Sequence, residues 1–193
     1  MGTLGGAGGA ASSATVGSRG AQRLGGFLAG VAAGGLAEGL VRLGLGHLVG
    51  QSRYDVLTAL IDEIAGGTGD LEAVAAQSAA LDVLGELLPD GTDYADLDQL
   101  ALDASEVREA LEVFLARYIY NRAAPVIEER LNRLEPATAE GRDTEIREYV
   151  EALVRLGMHE TDPMQIDWSG PAGRATSEAL LRDLYTYIEA LDE

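Results

Sequence analysis

The sequence predicts an all-α fold, a helical bundle of about six to eight helices behind a flexible Gly/Ala/Ser-rich N-terminal tail. Three observations carry this. Apolar residues recur at three- and four-residue spacing along most of the chain, as one buried helix face requires. No stretch alternates with period two for long enough to be a strand. Apolar residues make up 47% of the chain but aromatics only 5%, so the Val, Ile, Thr and aromatic runs that favour sheets are largely missing. At 193 residues the chain holds one domain with a real core rather than two.

Residues 1–17 are almost entirely Gly, Ala, Ser and Thr and have little to bury, so they read as a flexible tail. A single acidic helical domain spans 18–193, with Ser18 as the expected first cap. Leu24, Phe27, Leu28 and Val31 share one face, and Leu36, Leu40, Val41 and Leu43 continue it after a break at Gly34-Gly35. Gly44, Gly46 and Gly50 mark a turn region. Ser52 caps a helix carrying Val56, Leu57, Leu60, Ile61 and Ile64, which Gly66-Gly67 ends. Asp70 caps the next, whose apolar side reads Leu71, Val74, Leu81, Leu84, Leu87 and Leu88 up to the Pro89-Asp90-Gly91 stop. A short piece around Leu97, Leu100 and Leu102 follows.

The clearest start is Asp103 with Glu106 three residues on, a capping box. Its stripe runs Val107, Leu111, Phe114, Leu115, Tyr118, Ile119, Val126, Ile127, Leu131 and Leu134. Pro125 is expected to kink or split this helix near Asn121, and Pro136 to close it. A helix from about Thr144 to Leu156 buries Ile146, Tyr149, Val150 and Leu153 and stops at Gly157. After a loop, Ser169 and Pro171 open the last helix, with Leu180, Leu181, Leu184, Tyr187, Ile188 and Leu191 inward.

Net charge is −18, unevenly placed: +2 over residues 1–50 and −20 over 51–193. Thirteen acids and no base lie between Tyr54 and Val107. Such a body repels phosphate backbones, which argues against direct nucleic-acid binding and for a basic protein partner. Every basic side chain apart from two histidines is Arg. Without lysine there is no Walker-type phosphate contact, Schiff base or serine–lysine pair. Without cysteine there is no disulfide, thiolate zinc site or cysteine nucleophile, and a cytoplasmic location is the default. The apolar run Leu24–Ala37 could be a signal-peptide core or a membrane span, but its five glycines and the nearby Glu38 and Arg42 favour a packed helix.

Several constellations raise a site reading and then weaken. Gly5-Gly6-Ala7-Gly8-Gly9 lacks the preceding strand and the lysine of a phosphate cradle. Asp90, Asp93, Asp96 and Asp98 could hold calcium, yet they lack EF-hand spacing, and solvated caps are the simpler account. His159, Glu160, Asp162 and Asp167 could ligate zinc or do acid–base work, without a recognised zinc spacing. No catalytic residue, metal site or cofactor is assigned. Trp168 reads as an apolar anchor for the last helix or as an interface hot spot. Tyr118 fits the buried stripe; Tyr120 and Arg122 point elsewhere on the longest helix. Tyr120, Arg122, Trp168, Asp93, Asp96 and Asp98 are the candidate partner-binding residues.

A resemblance adds what these patterns leave open. The entry Gly25-Gly26-Phe27-Leu28-Ala29-Gly30-Val31, the segment Glu38 to Gly50, the Val107-Arg108-Glu109-Ala110-Leu111 helix and the Asp167-Trp168-Ser169-Gly170-Pro171 turn together resemble the QatB family, accessory subunits of the Qat anti-phage defence system. The similarity covers roughly residues 18 to 191. It implies a non-catalytic subunit that works alongside an ATPase, a QueC-like subunit related to 7-deazaguanine synthesis enzymes and a TatD-like nuclease. It further implies binding to the QueC-like subunit and presentation of the N-terminus for nucleobase modification. Met1-Gly2-Thr3 looks like the family's start, which makes Gly2 the acceptor once Met1 is removed. The family's longer Pro- and Ser-rich tail is absent after Thr3. Two other readings compete: an acidic DNA mimic occupying a nucleic-acid-binding groove, and a metal-assisted enzyme built around His159. Against the mimic, the acids cluster at caps and loops rather than at phosphate-like intervals.

Overall fold

The computed structural model describes residues 15–66, 69, 71–88, 97, 99–158 and 171–190; these form six α-helices, with no strand among them. Helix α1 (Thr15–Arg42) starts three residues ahead of its expected position, and Ser18 lies buried within it instead of capping it. Small residues explain the difference. A Cβ on Gly17 would fall 2.1 Å from the Tyr118 ring, and one on Gly20 would fall 2.9 Å from the Phe114 ring. The backbone of the first turns therefore lies directly on two aromatic rings, and packing holds as helix what composition alone marks as tail.

The break at Gly34-Gly35 is as expected. Gly35 sits at φ 79°, ψ −175°, a conformation closed to other residues, and α1 folds back on itself there. A Cβ on Gly30 would lie 2.6 Å from Gly39 Cα, so the two arms touch backbone to backbone. By length and composition Val16–Arg42 is apolar enough to cross a membrane, but half of its most apolar window is buried inside the protein and the turn divides it. Val41, assigned to the apolar face, is exposed on the short second arm.

A 3-10 turn at Gly46–Leu48 leads to α2 (Arg53–Ala65), which begins where Ser52 Oγ accepts the Asp55 N–H at 3.2 Å. It ends at Gly66 in the left-handed region, φ 59°. The expected Asp70 cap of α3 (Leu71–Leu87) lies outside the described residues. Its buried face corrects the sequence reading. Leu84 and Leu88 are buried as expected, but Leu71, Val74 and Leu81 are 44%, 53% and 49% exposed, and Ala73, Ala75, Ala76, Ala79, Ala80 and Val83 are buried in their place. Close packing against α1, α2 and α4 selects the alanine side, because small side chains let backbones approach.

Helix α4 (Ala104–Leu131) starts at Asp103 with both halves of the capping box formed. It runs unbroken through Pro125, which lies exposed, where water can satisfy the carbonyl that lost its donor. Pro136 does not simply close α4. It opens α5 (Pro136–Gly157), which starts eight residues before the expected Thr144, with proline's fixed φ suited to the first turn. Ile146, Val150 and Val154 are its buried residues, while Tyr149 is half-buried and stacks on Tyr187 at 3.8 Å. In α6 (Pro171–Ala190), Leu180, Leu181, Leu184 and Ile188 are buried as expected; Leu191 lies outside the described residues.

The long α4 is the axis of the bundle, in contact with α1, α3, α5 and α6. Tyr118, Phe114, Phe27, Leu24, Leu28 and Leu111 are fully buried along it. Each such side chain contributes about 1.5–3 kcal/mol by leaving water.

Candidate functional site

The start of α1 is held by a polar knot inside the bundle. The first N–H groups of a helix have no intrahelical acceptor. Here Val16 N–H donates to Glu72 Oε2 of α3 at 3.3 Å, although Glu72 is only 8% exposed. The other oxygen of that carboxylate lies 3.8 Å from Arg122 Nε of α4. A carboxylate at a helix N-terminus also meets the positive end of the helix dipole. Gly17 rests on the Tyr118 ring directly beside this pair. Burial and the Glu72 charge push the Tyr118 hydroxyl well above the usual phenol range, so it stays protonated. The start of α1 is thus tied to two other helices, α3 and α4.

A second tie fixes the same arm. Arg23 Nη1 donates to the Glu63 carbonyl in the last turn of α2, and its Nη2 lies 3.3 Å from Glu63 Oε1. A cation there answers the negative end of the α2 dipole.

Tyr120, expected on an open surface, is buried between α4 and α5. Its hydroxyl donates to Asp143 Oδ1, and the Arg147 guanidinium lies 3.9 Å from the ring centroid while donating to Asp143 Oδ2 at 2.8 Å. Burial and the bond to Asp143 raise the Tyr120 phenol to about 12. Burial also pushes the Asp143 carboxyl upward, but the bonds from Tyr120 and Arg147 outweigh it and hold that carboxyl below its usual range. Arg122 is likewise turned inward, with its side chain 15% exposed. A single apolar stripe on α4 would point both outward, yet α4 is flanked on several sides and buries more than one stripe.

The remaining candidates, Gly2, Asp93, Asp96, Asp98 and Trp168, lie outside the described residues, as do His159, Glu160, Asp162 and Asp167. Among the described residues no group of three or more metal-ligating side chains lies together. Glu72 was missed by sequence reasoning. Its position in the first turn of α3 reads as an ordinary helix-start acid, and only the tertiary fold brings Val16 and Arg122 to it.

Most of the ion pairs among the described residues join an acid to an arginine three or four positions away on the same helix. Examples are Glu38–Arg42 at 3.2 Å, Glu129–Arg133 at 2.6 Å and Asp143–Arg147 at 2.8 Å. Such pairs solvate and stabilise helices without building a phosphate-like array.

No curated protein and no solved structure matches the chain. Residues 5–188 match the family model of the Qat anti-phage system associated protein QatB. That span begins after Met1-Gly2-Thr3, takes in the polar knot and reaches the last turns of α6. With nearly its whole length matched, the chain belongs to the QatB family and has an accessory role in Qat anti-phage defence.

Proposed function

We propose that this chain is the non-catalytic interaction subunit of a Qat-type complex, docking on the QueC-like subunit in the cytoplasm and presenting its N-terminus for 7-deazaguanine-type modification. Gly2 is the acceptor in this reading, its α-amine freed by removal of Met1. The observation that carries it is the anchored start of α1, where Val16, Gly17 and Gly20 are fixed by Glu72, Tyr118 and Phe114. A segment of small side chains ahead of a rigid base suits delivery into an enzyme cleft: the base sets direction, and Gly, Ala, Ser and Thr leave little bulk to exclude. The acidic body would supply long-range attraction to a basic partner surface, which weakens as salt rises. The ATPase and the TatD-like nuclease are further partners of the assembled system.

Co-expression with the QueC-like subunit, followed by size-exclusion chromatography and intact-mass analysis, tests this. A stoichiometric complex and a mass addition confined to the N-terminal peptide are expected. A chain that elutes alone in low salt ends the docking reading. A stable complex whose N-terminal peptide keeps its unmodified mass ends the acceptor reading and leaves the docking one.

A further inference from the structure

Among the described residues, nothing covers the outer face of α4 between α3 and α5. Two clefts of ≈ 230 Å³ and ≈ 210 Å³ open there side by side. Glu109 and Val113 line both, so they form one groove from Glu106 to Arg117, ~16 Å of helix at 1.5 Å per residue. Its floor is apolar and shallow in side-chain volume: Ala110 and Ala116 are 8% and 6% exposed, and Val113 and Leu87 are half-buried beside them. Its rim is acidic, with exposed Glu86 on α3, Glu106 and Glu109 on α4, and Glu151 on α5. Glu112 already pairs with Arg108 at 3.4 Å, whereas Glu86, Glu109 and Glu151 make no ion pair among the described residues. Arg117 and Arg155 stand at the α5 end of the groove.

We propose that this groove docks a basic amphipathic helix of a partner protein. Helix pairs pack with axes 8–10 Å apart, and small floor residues between two flanking helices provide that approach. The mode is a helix laid in a groove, read by an apolar stripe at three- and four-residue spacing. The described residues offer no sheet edge that could add a strand instead. Arg or Lys on both shoulders of the incoming helix would meet Glu86 and Glu109 on one side and Glu151 on the other, and one carboxylate would meet Arg117. A second copy of this chain is the wrong occupant, because residues 51–193 carry −20 and two such bodies repel. A nucleic acid is disfavoured by the same charge. The inference stands on the groove alone, so it survives or fails independently of any modification at Gly2.

The absence of cysteine gives a direct test. Val113→Cys places a single environment-sensitive dye in the groove, and Tyr54→Cys places one on α2 at a residue 74% exposed. If the Val113 variant does not fold, Glu86→Cys on the exposed rim carries the dye. The probes are three synthetic peptides of about 16 residues, roughly four helical turns. One has a leucine stripe flanked by arginines, one has the same composition scrambled, and one has Glu in place of every Arg.

The arginine-flanked peptide is expected to saturate the groove dye and leave the Tyr54→Cys dye unchanged. Glu109→Gln with Glu151→Gln should weaken it by roughly two- to thirtyfold, the range for two exposed charge pairs. Failure of the striped peptide to bind overturns the proposal. So do equal binding of the scrambled or Glu peptide, an equal response at Tyr54→Cys, or an affinity indifferent to the double Gln variant.

Discussion

Replacing Gly30 by alanine should destabilise the protein, whereas replacing Gly26 in the same arm should stabilise it. Both positions are helical, so alanine gains about 0.5–1 kcal/mol over glycine in intrinsic preference at each. The surroundings decide the sign. Nothing lies within 4 Å of a Cβ built on Gly26. On Gly30 the Cβ would sit 2.6 Å from Gly39 Cα, 2.9 Å from Gly39 N and 3.0 Å from Arg42 Cδ. Non-bonded carbons prefer about 3.5–4.0 Å, so the arms must part by about 1 Å, and no rotamer change can help where the contact is backbone. Overpacking of this kind costs about 1–3 kcal/mol. Subtracting the helix preference leaves Gly30→Ala roughly 0–2.5 kcal/mol less stable than the parent, and the two variants about 1–3 kcal/mol apart. For a domain of this size that is a spread of roughly 2–12 °C in Tm. Urea unfolding followed by far-UV circular dichroism measures it, with a common slope showing that both variants unfold from the same native state. Gly30→Ala as stable as Gly26→Ala would mean that the arms of α1 do not meet as described.

Three further outcomes follow from the packing. Glu72→Ala removes the acceptor of Val16 N–H and the partner of Arg122, and should cost about 1–3 kcal/mol; amide exchange should accelerate first in the opening turn of α1. In α3, Leu81→Gln should change stability by less than about 0.5 kcal/mol, whereas Ala76→Leu on the opposite side should cost about 1–3 kcal/mol, both read by urea unfolding. The Tyr120 phenol is raised from 10.0 to about 12 by burial and by its bond to Asp143. Because the folded value exceeds the unfolded one, the stability it contributes is present below pH 10 and is lost as pH rises through about 12. Tyr120→Phe should therefore flatten the loss of stability over that alkaline interval, as followed by urea midpoints at each pH.

Helix existence was determined by the sequence alone, because caps and breakers act locally. Ser52 and Asp103 each bond to N–H groups within three residues, Gly66 takes a left-handed conformation that glycine favours and Gly35 one that is closed to other residues, and these local preferences act whatever packs nearby. The inward faces of α4 and α6 were legible in part: Val107, Leu111, Phe114, Tyr118 and Ile127 on α4 and Leu181, Leu184 and Ile188 on α6 are buried at helical spacing, but Leu134 lies exposed beyond the end of α4, and the second buried stripe of α4 was not legible. Which side of α3 is buried was decided only by the tertiary structure. Periodicity counts large residues, whereas a helix wedged among α1, α2 and α4 minimises distance and buries its alanines, leaving Leu71, Val74 and Leu81 outside. The same holds at the start of α1 and on the flank of α4. Thr15–Gly17 became helix because Tyr118 needed glycine beneath its ring, and Tyr120 and Arg122 turned inward because Asp143 and Glu72 arrive from other helices. Contacts between residues 23, 50 or 56 positions apart leave no local trace in sequence, so the knot that holds the start of α1 belongs to the fold.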